Sequence, residues 1–153
     1  YLLIKQHQIK DSTKLIIVGS YGPQTKNIQS LIQTLKLDKQ VILLSSIEDE
    51  ELCWIYKNCE LFVIPSSTEG FCFPLVEALS LGCKAVCSDI PILREVGSST
   101  CHYFDLKQDP IKNLSESIVY TLSQPPTDTS FMDSRFFKPN IAQQYLDFYN
   151  SII

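Results

Sequence analysis

Short apolar runs that alternate with helical patterns constrain the fold of this chain more than any other feature. Four runs are β-branched and apolar on both faces, which is typical of parallel strands covered by helices on both sides. Parallel strands need long crossovers between them, and the crossovers are usually helical. The sequence therefore predicts an α/β fold, a doubly wound, Rossmann-like parallel sheet with helices on both faces. The runs span residues 14–20, 40–46, 60–67 and 84–89, with a shorter mixed run at 101–105.

The helices are predicted from apolar residues that recur at the spacing of one helix face. They span residues 27–37, 48–58, 73–81 and 109–122, with a C-terminal return helix over 139–153. The helix over 73–81 is apolar nearly all round, so we expect it to be central and buried. Prolines and polar residues predict a linker over 123–130. A length of 153 residues suits one domain, so residues 1–153 are predicted to form a single Rossmann-like unit.

Composition excludes several classes of function. The net charge is -4 and no basic run occurs, which disfavours a nucleic-acid surface. No apolar stretch reaches the roughly 18 residues of a membrane span. The six cysteines form no CxxC pair and the two histidines are far apart, so a metal site has little support. Thiols within apolar runs indicate reduced core cysteines in a cytoplasmic protein.

The stretch TEGFCFPLVEALSLG, residues 68–82, carries the most informative polar residues. Between residues 61 and 83 the only charged side chains are Glu69 and Glu77, so we expect both carboxylates to be buried. Buried carboxylates are rare without partners, which favours a binding role. The alternative is that Glu77 is a surface or capping residue near a helix start, a placement worth only about 0.3–1 kcal/mol.

The loop over 66–72 is predicted to follow the carboxyl end of a strand, where ligands bind in parallel α/β sheets. It enters the next helix at about Phe73 or Pro74, because proline suits a first helical position. Gly70 would let the backbone approach a ligand closely. Free amides at a helix start bind anions without basic side chains. The amides expected to face such an anion are those of Phe71, Cys72 and Phe73.

Carboxylates accept hydrogen bonds from hydroxyls, and a vicinal diol can donate two of them. The loop thus combines amides for a phosphate with Glu69 and Glu77 for hydroxyls on either side of it. A nucleotide sugar has that composition, with a ribose diol, a diphosphate and sugar hydroxyls.

The same residues carry a resemblance to a known family. EGFCFPLVE has the E-x7-E pattern of retaining GT-B glycosyltransferases. Residues 66–105 resemble the C-terminal nucleotide-sugar domain of family 4 glycosyltransferases over their whole length. LIIVGSYGP resembles the first strand and loop of that domain, and SSIEDEELCWIYKNCELFVIPS resembles its second and third units. The resemblance covers residues 14–150.

The resemblance implies roles for individual residues. Glu69 would be the catalytic residue, holding donor-sugar hydroxyls near the reacting centre, and Glu77 would hold the ribose hydroxyls. Residues 45–47 would border the nucleobase, and Gly19 would lie close to the diphosphate. The nucleotide-sugar-binding residues implied in this way are Glu77, Gly70, Phe71, Cys72, Gly19, Ser45, Ser46 and Ile47.

The implied reaction is transfer of a hexosyl or N-acetylhexosaminyl group, with retention, from a UDP-sugar to a glycan or lipid-linked acceptor. The resemblance points to bacterial surface polysaccharide, either O-antigen or capsule. No cofactor and no metal are expected, since no Asp-x-Asp motif occurs. An alternative hypothesis remains open, in which the chain is a non-catalytic nucleotide or sugar-phosphate binding module of Rossmann-like fold. A flavodoxin-like domain would need an acidic cluster at the end of the first strand, where the sequence reads VGSYGP.

The sequence departs from the family in several ways. Cys72 and Phe73 replace commoner small or aliphatic residues. The basic residues that clamp the diphosphate are expected upstream of residue 1, and the N-terminal acceptor-binding domain is absent from this chain. We therefore expect the chain to fold but not to catalyse transfer alone, and to bind UDP more weakly than a full-length enzyme. The missing domain would hold the enzyme at the inner face of the membrane.

Overall fold

The computed structural model describes residues 2–125, 136 and 138–152 of the chain. Its contacts group the chain into two compact units, Tyr1–Ile55 and Tyr56–Ile153. Five strands are present among the described residues, and every strand pair is parallel, as predicted. Within those residues, no helix combines the length and apolar character that a membrane crossing requires.

The first unit pairs two strands through their full length. Leu15 lies opposite Val41 and Val18 lies opposite Leu44. The acidic residues at the start of α3 suit the positive end of the helix dipole. In chain order, the elements are α1 (Leu2–Lys5), β1 (Leu15–Val18), α2 (Thr25–Thr34), β2 (Val41–Leu44) and α3 (Asp49–Asn58), of which α3 contributes residues to both units.

The second unit contains a three-stranded sheet in the order β3-β4-β5. Both α4 and α6 pack against its central strand, β4. The strand and helix predictions are confirmed here with shifts of a few residues at most, whereas residues 126–130 of the predicted linker and Ile153 lie outside the described residues. The elements are β3 (Phe62–Ile64), α4 (Phe73–Ser80), β4 (Ala85–Ser88), α5 (Pro91–Gly97), β5 (Cys101–Phe104), α6 (Pro110–Ser123) and α7 (Lys138–Ile152).

Burial differs sharply between strands that the sequence predicted to be alike. All four residues of β4 are buried, as expected for a covered parallel strand, but all four residues of β1 are exposed. The prediction that β1 is buried on both faces is therefore wrong. A parallel strand is buried on both faces only where helices pack against both faces. The helix that follows β1, α2, contains no buried residue.

The core of the second unit combines aliphatic side chains with thiols. Leu75, Val86 and Leu93 are fully buried, and full burial of such a side chain contributes about 1.5–3 kcal/mol. All six cysteines are free; Cys53 and Cys59 are half-buried and the other four are buried. This arrangement agrees with the prediction that the thiols pack as small hydrophobic groups.

Gly97 lies at the end of α5, against β5, where no larger residue fits. A Cβ added there would lie 2.5 Å from Cys101 Sγ and 2.7 Å from Tyr103 Oη. We therefore expect Gly97→Ala to lower the free energy of unfolding by about 1–3 kcal/mol, the usual cost of an overpacked core. Urea unfolding followed by circular dichroism measures this change.

The matched control for Gly97→Ala is Gly70→Ala in the same unit. A Cβ at Gly70 meets no atom within 4 Å, so the control variant is expected to unfold at the wild-type midpoint. Equal midpoints for the two alanine variants would show that the space around Gly97 relaxes without cost.

Candidate functional site

The loop that follows β3 is anchored at the carboxyl edge of the three-stranded sheet. Ser88, the last residue of β4, is fully buried. Its hydroxyl donates a hydrogen bond to the Ser66 carbonyl and lies 3.5 Å from the Ile64 carbonyl. The neighbouring strand therefore fixes the first residues of the loop, at the sheet edge where the sequence predicted a ligand site.

Cys72 sets the direction in which the loop enters α4. It is the N-cap residue and has left-handed backbone angles, φ 72° and ψ 64°. This conformation costs a residue with a Cβ about 1–2 kcal/mol, and such strain is concentrated at functional sites. Its side chain is buried, which raises the pKa of the thiol, and the negative charge of Glu69 raises that pKa as well. The helix begins at Phe73 with Pro74 in its first turn, as predicted.

Four successive amides at this turn are free to bind a ligand. The N–H groups of residues 70–73 donate to no acceptor within the described residues, and Pro74 has no N–H. The first amide after them that is paired belongs to Leu75, which donates to the Cys72 carbonyl at 3.0 Å. A run of unpaired amides at a helix start favours a negatively charged group. We call residues 69–74 the elbow.

The far end of α4 is closed by a left-handed glycine. Gly82 has φ 82°, and its amide donates to the Leu79 carbonyl at 3.0 Å. The Cys83 amide donates to the Ala78 carbonyl at 3.0 Å. These two bonds form a Schellman motif, which satisfies carbonyls at the helix end. Both ends of this short helix are thus defined by left-handed residues.

The exposed face of α4 carries Glu77. Leu75 and Ala78 are fully buried, whereas Phe73 and Glu77 are exposed. Phe73, Glu77 and Ser80 follow a helical repeat of four and three residues, so they share one face. The prediction that this helix is buried all round is wrong. One face of α4 packs on the core, and the other face remains accessible although the helix as a whole is mostly apolar.

The two carboxylates differ in burial. Glu69 is half-buried in the elbow and Glu77 is exposed on α4. The prediction that both carboxylates are buried is therefore wrong. The lack of other charged residues between positions 61 and 83 does not imply that these two side chains are enclosed. Both nevertheless flank the free amides, with Glu69 immediately before them and Glu77 about one turn inside the helix, as the sequence predicted.

Tyr56 is a residue at this site that the sequence did not identify. Its hydroxyl donates to Glu77 Oε2 at 3.2 Å. Burial, and then the charge and hydrogen bond of Glu77, raise the pKa of Tyr56. Tyr56 lies within the predicted helix over 48–58, but no signal in the sequence links it to a carboxylate 21 residues further on.

Aromatic rings cover the apolar side of the elbow. The Phe71 ring meets the Phe73 ring edge-on at 4.9 Å between centroids and the Phe136 ring at 5.4 Å. Phe73 is nevertheless 68% exposed. The elbow thus presents amides and carboxylates beside an accessible aromatic face.

The arginine of α5, Arg94, is already paired. Arg94 Nη2 donates to Asp89 Oδ2 at 2.7 Å, and its guanidinium lies 4.6 Å from the centre of the Tyr103 ring. The same guanidinium lowers the pKa of the Asp89 carboxyl. We therefore assign this arginine to the packing of α5 and not to the binding of an anion.

The remaining predicted site residues lie in the first unit. Gly19 follows β1 and residues 45–47 follow β2, so both segments lie at the carboxyl edge of their strand pair. The Gly19 amide donates to the Leu44 carbonyl at 3.0 Å. The predicted residues thus form two groups: one in this unit, and one at the elbow and α4.

Chemically, the elbow can bind an anion and hydroxyl groups through uncharged amides and two carboxylates. In the part of the chain that the structure describes, no three His, Cys, Asp or Glu side chains are grouped so as to hold a metal ion. The amides and carboxylates of the elbow are groups that form hydrogen bonds with phosphates and hydroxyls, respectively.

Comparison with known proteins identifies relatives of this chain. Residues 2–133 match the family described as Glycosyl transferases group 1. The chain is 27% identical over 154 residues to the O-antigen biosynthesis glycosyltransferase WclY of Escherichia coli, covering 98% of this chain and 41% of that protein. It is 32% identical over 111 residues to the O-antigen chain mannosyltransferase RfbU of Salmonella typhimurium, covering 69% of this chain and 31% of that protein. The chain thus spans about two fifths or less of these relatives.

Solved structures agree with the fold. A sucrose-phosphate synthase from Thermosynechococcus elongatus superposes with a TM-score of 0.75 at 22% identity, covering 98% of this chain and 41% of that one. WaaG, a glycosyltransferase involved in lipopolysaccharide biosynthesis, superposes with a TM-score of 0.67 at 14% identity, covering 94% and 49%. These likenesses confirm the predicted doubly wound, Rossmann-like α/β fold with parallel strands and helices on both faces.

Proposed function

Because this chain belongs to the glycosyl transferases group 1 family, we propose that it forms the donor-binding part of a retaining glycosyltransferase. In this proposal a nucleoside diphosphate sugar binds at the elbow, and its sugar is transferred to a glycan or lipid-linked acceptor. The acceptor-binding half corresponds to the part of the curated relatives that the chain does not span.

The observation that carries this proposal is the run of four unpaired amides at residues 70–73, flanked by Glu69 and Glu77. Oriented amides stabilise the charge that gathers on a leaving diphosphate, and they need no reorganisation as the bond breaks. One such donor is worth about 2.7–4 kcal/mol in enzymes that stabilise an oxyanion. The elbow would therefore act most strongly on the transition state.

The two carboxylates take different ends of the donor in this proposal. Glu77 accepts hydrogen bonds from the ribose diol, and Glu69 accepts them from hydroxyls of the transferred sugar. The reaction would retain the configuration of the anomeric carbon, in line with the E-x7-E spacing of Glu69 and Glu77.

The names of the relatives narrow the donor and the pathway. Several are mannosyltransferases, two of them named for the O-antigen chain, which favours a hexosyl group over an N-acetylhexosaminyl group. The family resemblance implies UDP, whereas a relative from Xanthomonas campestris, 25% identical over 148 residues, is a GDP-mannose:cellobiosyl-diphosphopolyprenol alpha-mannosyltransferase. We propose a nucleoside diphosphate hexose, used in the synthesis of bacterial surface polysaccharide.

We propose that transfer needs no metal ion, because the free amides at the start of α4 would stabilise the charge of the diphosphate. The enzyme, assayed with its acceptor half present, is expected to keep its full rate in excess EDTA. A loss of activity that Mg²⁺ or Mn²⁺ restores would refute this part of the proposal.

The six free thiols suit a reducing compartment, so the proposed location is the cytoplasm.

Calorimetric titration of the chain tests the proposed function. UDP and GDP are titrated in parallel, each with and without an attached hexose, with AMP as the control for a general nucleotide binder. We expect one of the two diphosphates to bind and AMP to give no heat. Absence of binding by either diphosphate at millimolar concentration, or equal binding of AMP, would contradict a donor-binding role.

Gly70→Ala is expected to impair ligand binding and leave folding intact. The Cβ would enter open space in the unliganded chain, but it would occupy the volume through which a phosphate approaches the amides. Crowding by one methyl group costs about 1 kcal/mol or more, which corresponds to a nucleoside diphosphate Kd raised about fivefold or more.

The variant is titrated with UDP and GDP, and its urea midpoint is measured alongside. An unchanged Kd would place the diphosphate away from Gly70.

A further inference from the structure

Tyr56 and Glu77 form a hydrogen bond between a buried group and an exposed one. Tyr56 is only 6% exposed, and its hydroxyl lies 3.2 Å from Glu77 Oε2. Glu77 projects from the accessible face of α4. The hydrogen bond therefore restrains the side chain of an exposed glutamate through a hydroxyl group that is fixed in the core.

The tyrosine itself is held from two directions. Its ring meets the Phe62 ring edge-on, with centroids 5.5 Å apart. The Cys83 thiol donates to the Tyr56 carbonyl at 2.8 Å, and the Cys59 thiol lies 3.4 Å from the same oxygen. Phe62 is the first residue of β3, and Cys83 is the last residue of the Schellman motif that ends α4. The hydroxyl is thus positioned by the strand and the helix that enclose the elbow.

The hydroxyl remains a donor at all physiological pH values. Burial and the neighbouring Glu77 carboxylate raise the pKa of Tyr56 above the ordinary tyrosine value. The carboxylate has about four acceptor positions, so one bond from Tyr56 leaves capacity for a diol.

We propose that Tyr56 is a positioning residue that holds the Glu77 carboxylate ready for the hydroxyls of the donor nucleotide. This inference rests on the proposed function, in which Glu77 binds the ribose. A free glutamate loses rotamer freedom when a ligand orders it, and this loss weakens binding. The hydrogen bond from Tyr56 already restricts the rotamers of Glu77 in the unliganded protein. The Tyr56 hydroxyl therefore increases nucleotide affinity without contacting the nucleotide.

Tyr56→Phe removes the hydroxyl and keeps the ring that packs on Phe62. We expect the Kd for the nucleoside diphosphate to rise about 3- to 10-fold, the range for loss of one hydrogen bond. Tyr103→Phe is the matched control, since the Tyr103 hydroxyl also bonds within this unit, to the Ser98 carbonyl at 2.8 Å, but does not contact Glu77. The control is expected to leave the Kd unchanged.

A double-mutant cycle separates positioning from simple stabilisation. UDP and GDP are titrated into the wild type, Tyr56→Phe, Glu77→Gln and the double variant. If Tyr56 acts through Glu77, the tyrosine change adds little once Glu77 is replaced. An equal effect of Tyr56→Phe in both backgrounds, or no effect in the wild-type background, would overturn the inference. If Glu77→Gln itself leaves the Kd unchanged, the ribose role of Glu77 fails, and the positioning role fails with it.

A measurement on the wild-type protein keeps the inference testable if Tyr56→Phe does not fold. The tyrosine ¹³Cζ resonance reports the hydrogen bond of the hydroxyl. Addition of the nucleoside diphosphate is expected to shift the Tyr56 signal and to leave the Tyr103 signal in place. An unmoved Tyr56 signal at saturation would overturn the inference.

Discussion

Replacing Glu77 by glutamine is expected to weaken binding of the nucleoside diphosphate by about 10- to 150-fold. Glutamine keeps the size of the side chain and removes its charge, and a hydrogen bond to a charged group contributes about 1.5–3 kcal/mol. Glu77 is exposed on α4, and the amide oxygen of glutamine can still accept the hydrogen bond from the buried Tyr56 hydroxyl. Calorimetry with UDP and GDP measures the loss directly.

Glu116→Gln provides the control for charge removal. Glu116 is also an exposed glutamate of the second unit, and its nearest partner is Lys112 at 4.0 Å. This variant is expected to bind the diphosphate like the wild type and to unfold at a similar midpoint. Equal losses of affinity for the two glutamine variants would indicate a general effect of net charge and not a contact of Glu77.

Glu69→Gln is expected to lower the rate of transfer while leaving affinity for the nucleoside diphosphate nearly intact. Glu69 lies half-buried in the elbow, just before the free amides, and its proposed partner is the transferred sugar. Loss of one charge-assisted hydrogen bond near the reacting centre corresponds to a decrease in kcat/KM of about 10- to 150-fold. Initial rates with the nucleotide sugar, measured with the acceptor half present, test this decrease.

The contrast between the two variants is more informative than either alone. If Glu69→Gln loses diphosphate affinity as severely as Glu77→Gln, the carboxylates do not act at opposite ends of the donor. If neither variant changes affinity or rate, both glutamates are structural, and the free amides remain as the sole support for the site.

The elbow was predictable because its determinants are local in sequence. An apolar β-branched run, Gly70 and Pro74 within a few residues specify a strand, a turn and a helix start. The burial of β4 was equally predictable, since its residues are apolar on both faces and helices pack against it. These features need no knowledge of distant contacts.

Three properties of the site were not predictable from local pattern. The exposure of Glu77 depends on which face of an almost wholly apolar helix packs inward, and composition does not reveal that face. The left-handed conformation of Cys72 is unexpected for a residue with a Cβ. The bond from Tyr56 to Glu77 joins two elements through tertiary packing. Likewise, the exposure of β1 depends on whether helices pack against it, and the sequence of the strand itself does not specify this packing.

The central claim is that the free amides of the elbow receive the diphosphate. The most direct test follows backbone amide resonances of the ¹⁵N-labelled chain while UDP or GDP is added, whichever calorimetry selects. We expect the largest shifts at Gly70, Phe71, Cys72 and Phe73, with smaller shifts at Glu77 on the next turn of α4. Binding that leaves the amides of residues 70–73 unmoved, with the largest shifts elsewhere in the chain, would contradict the claim.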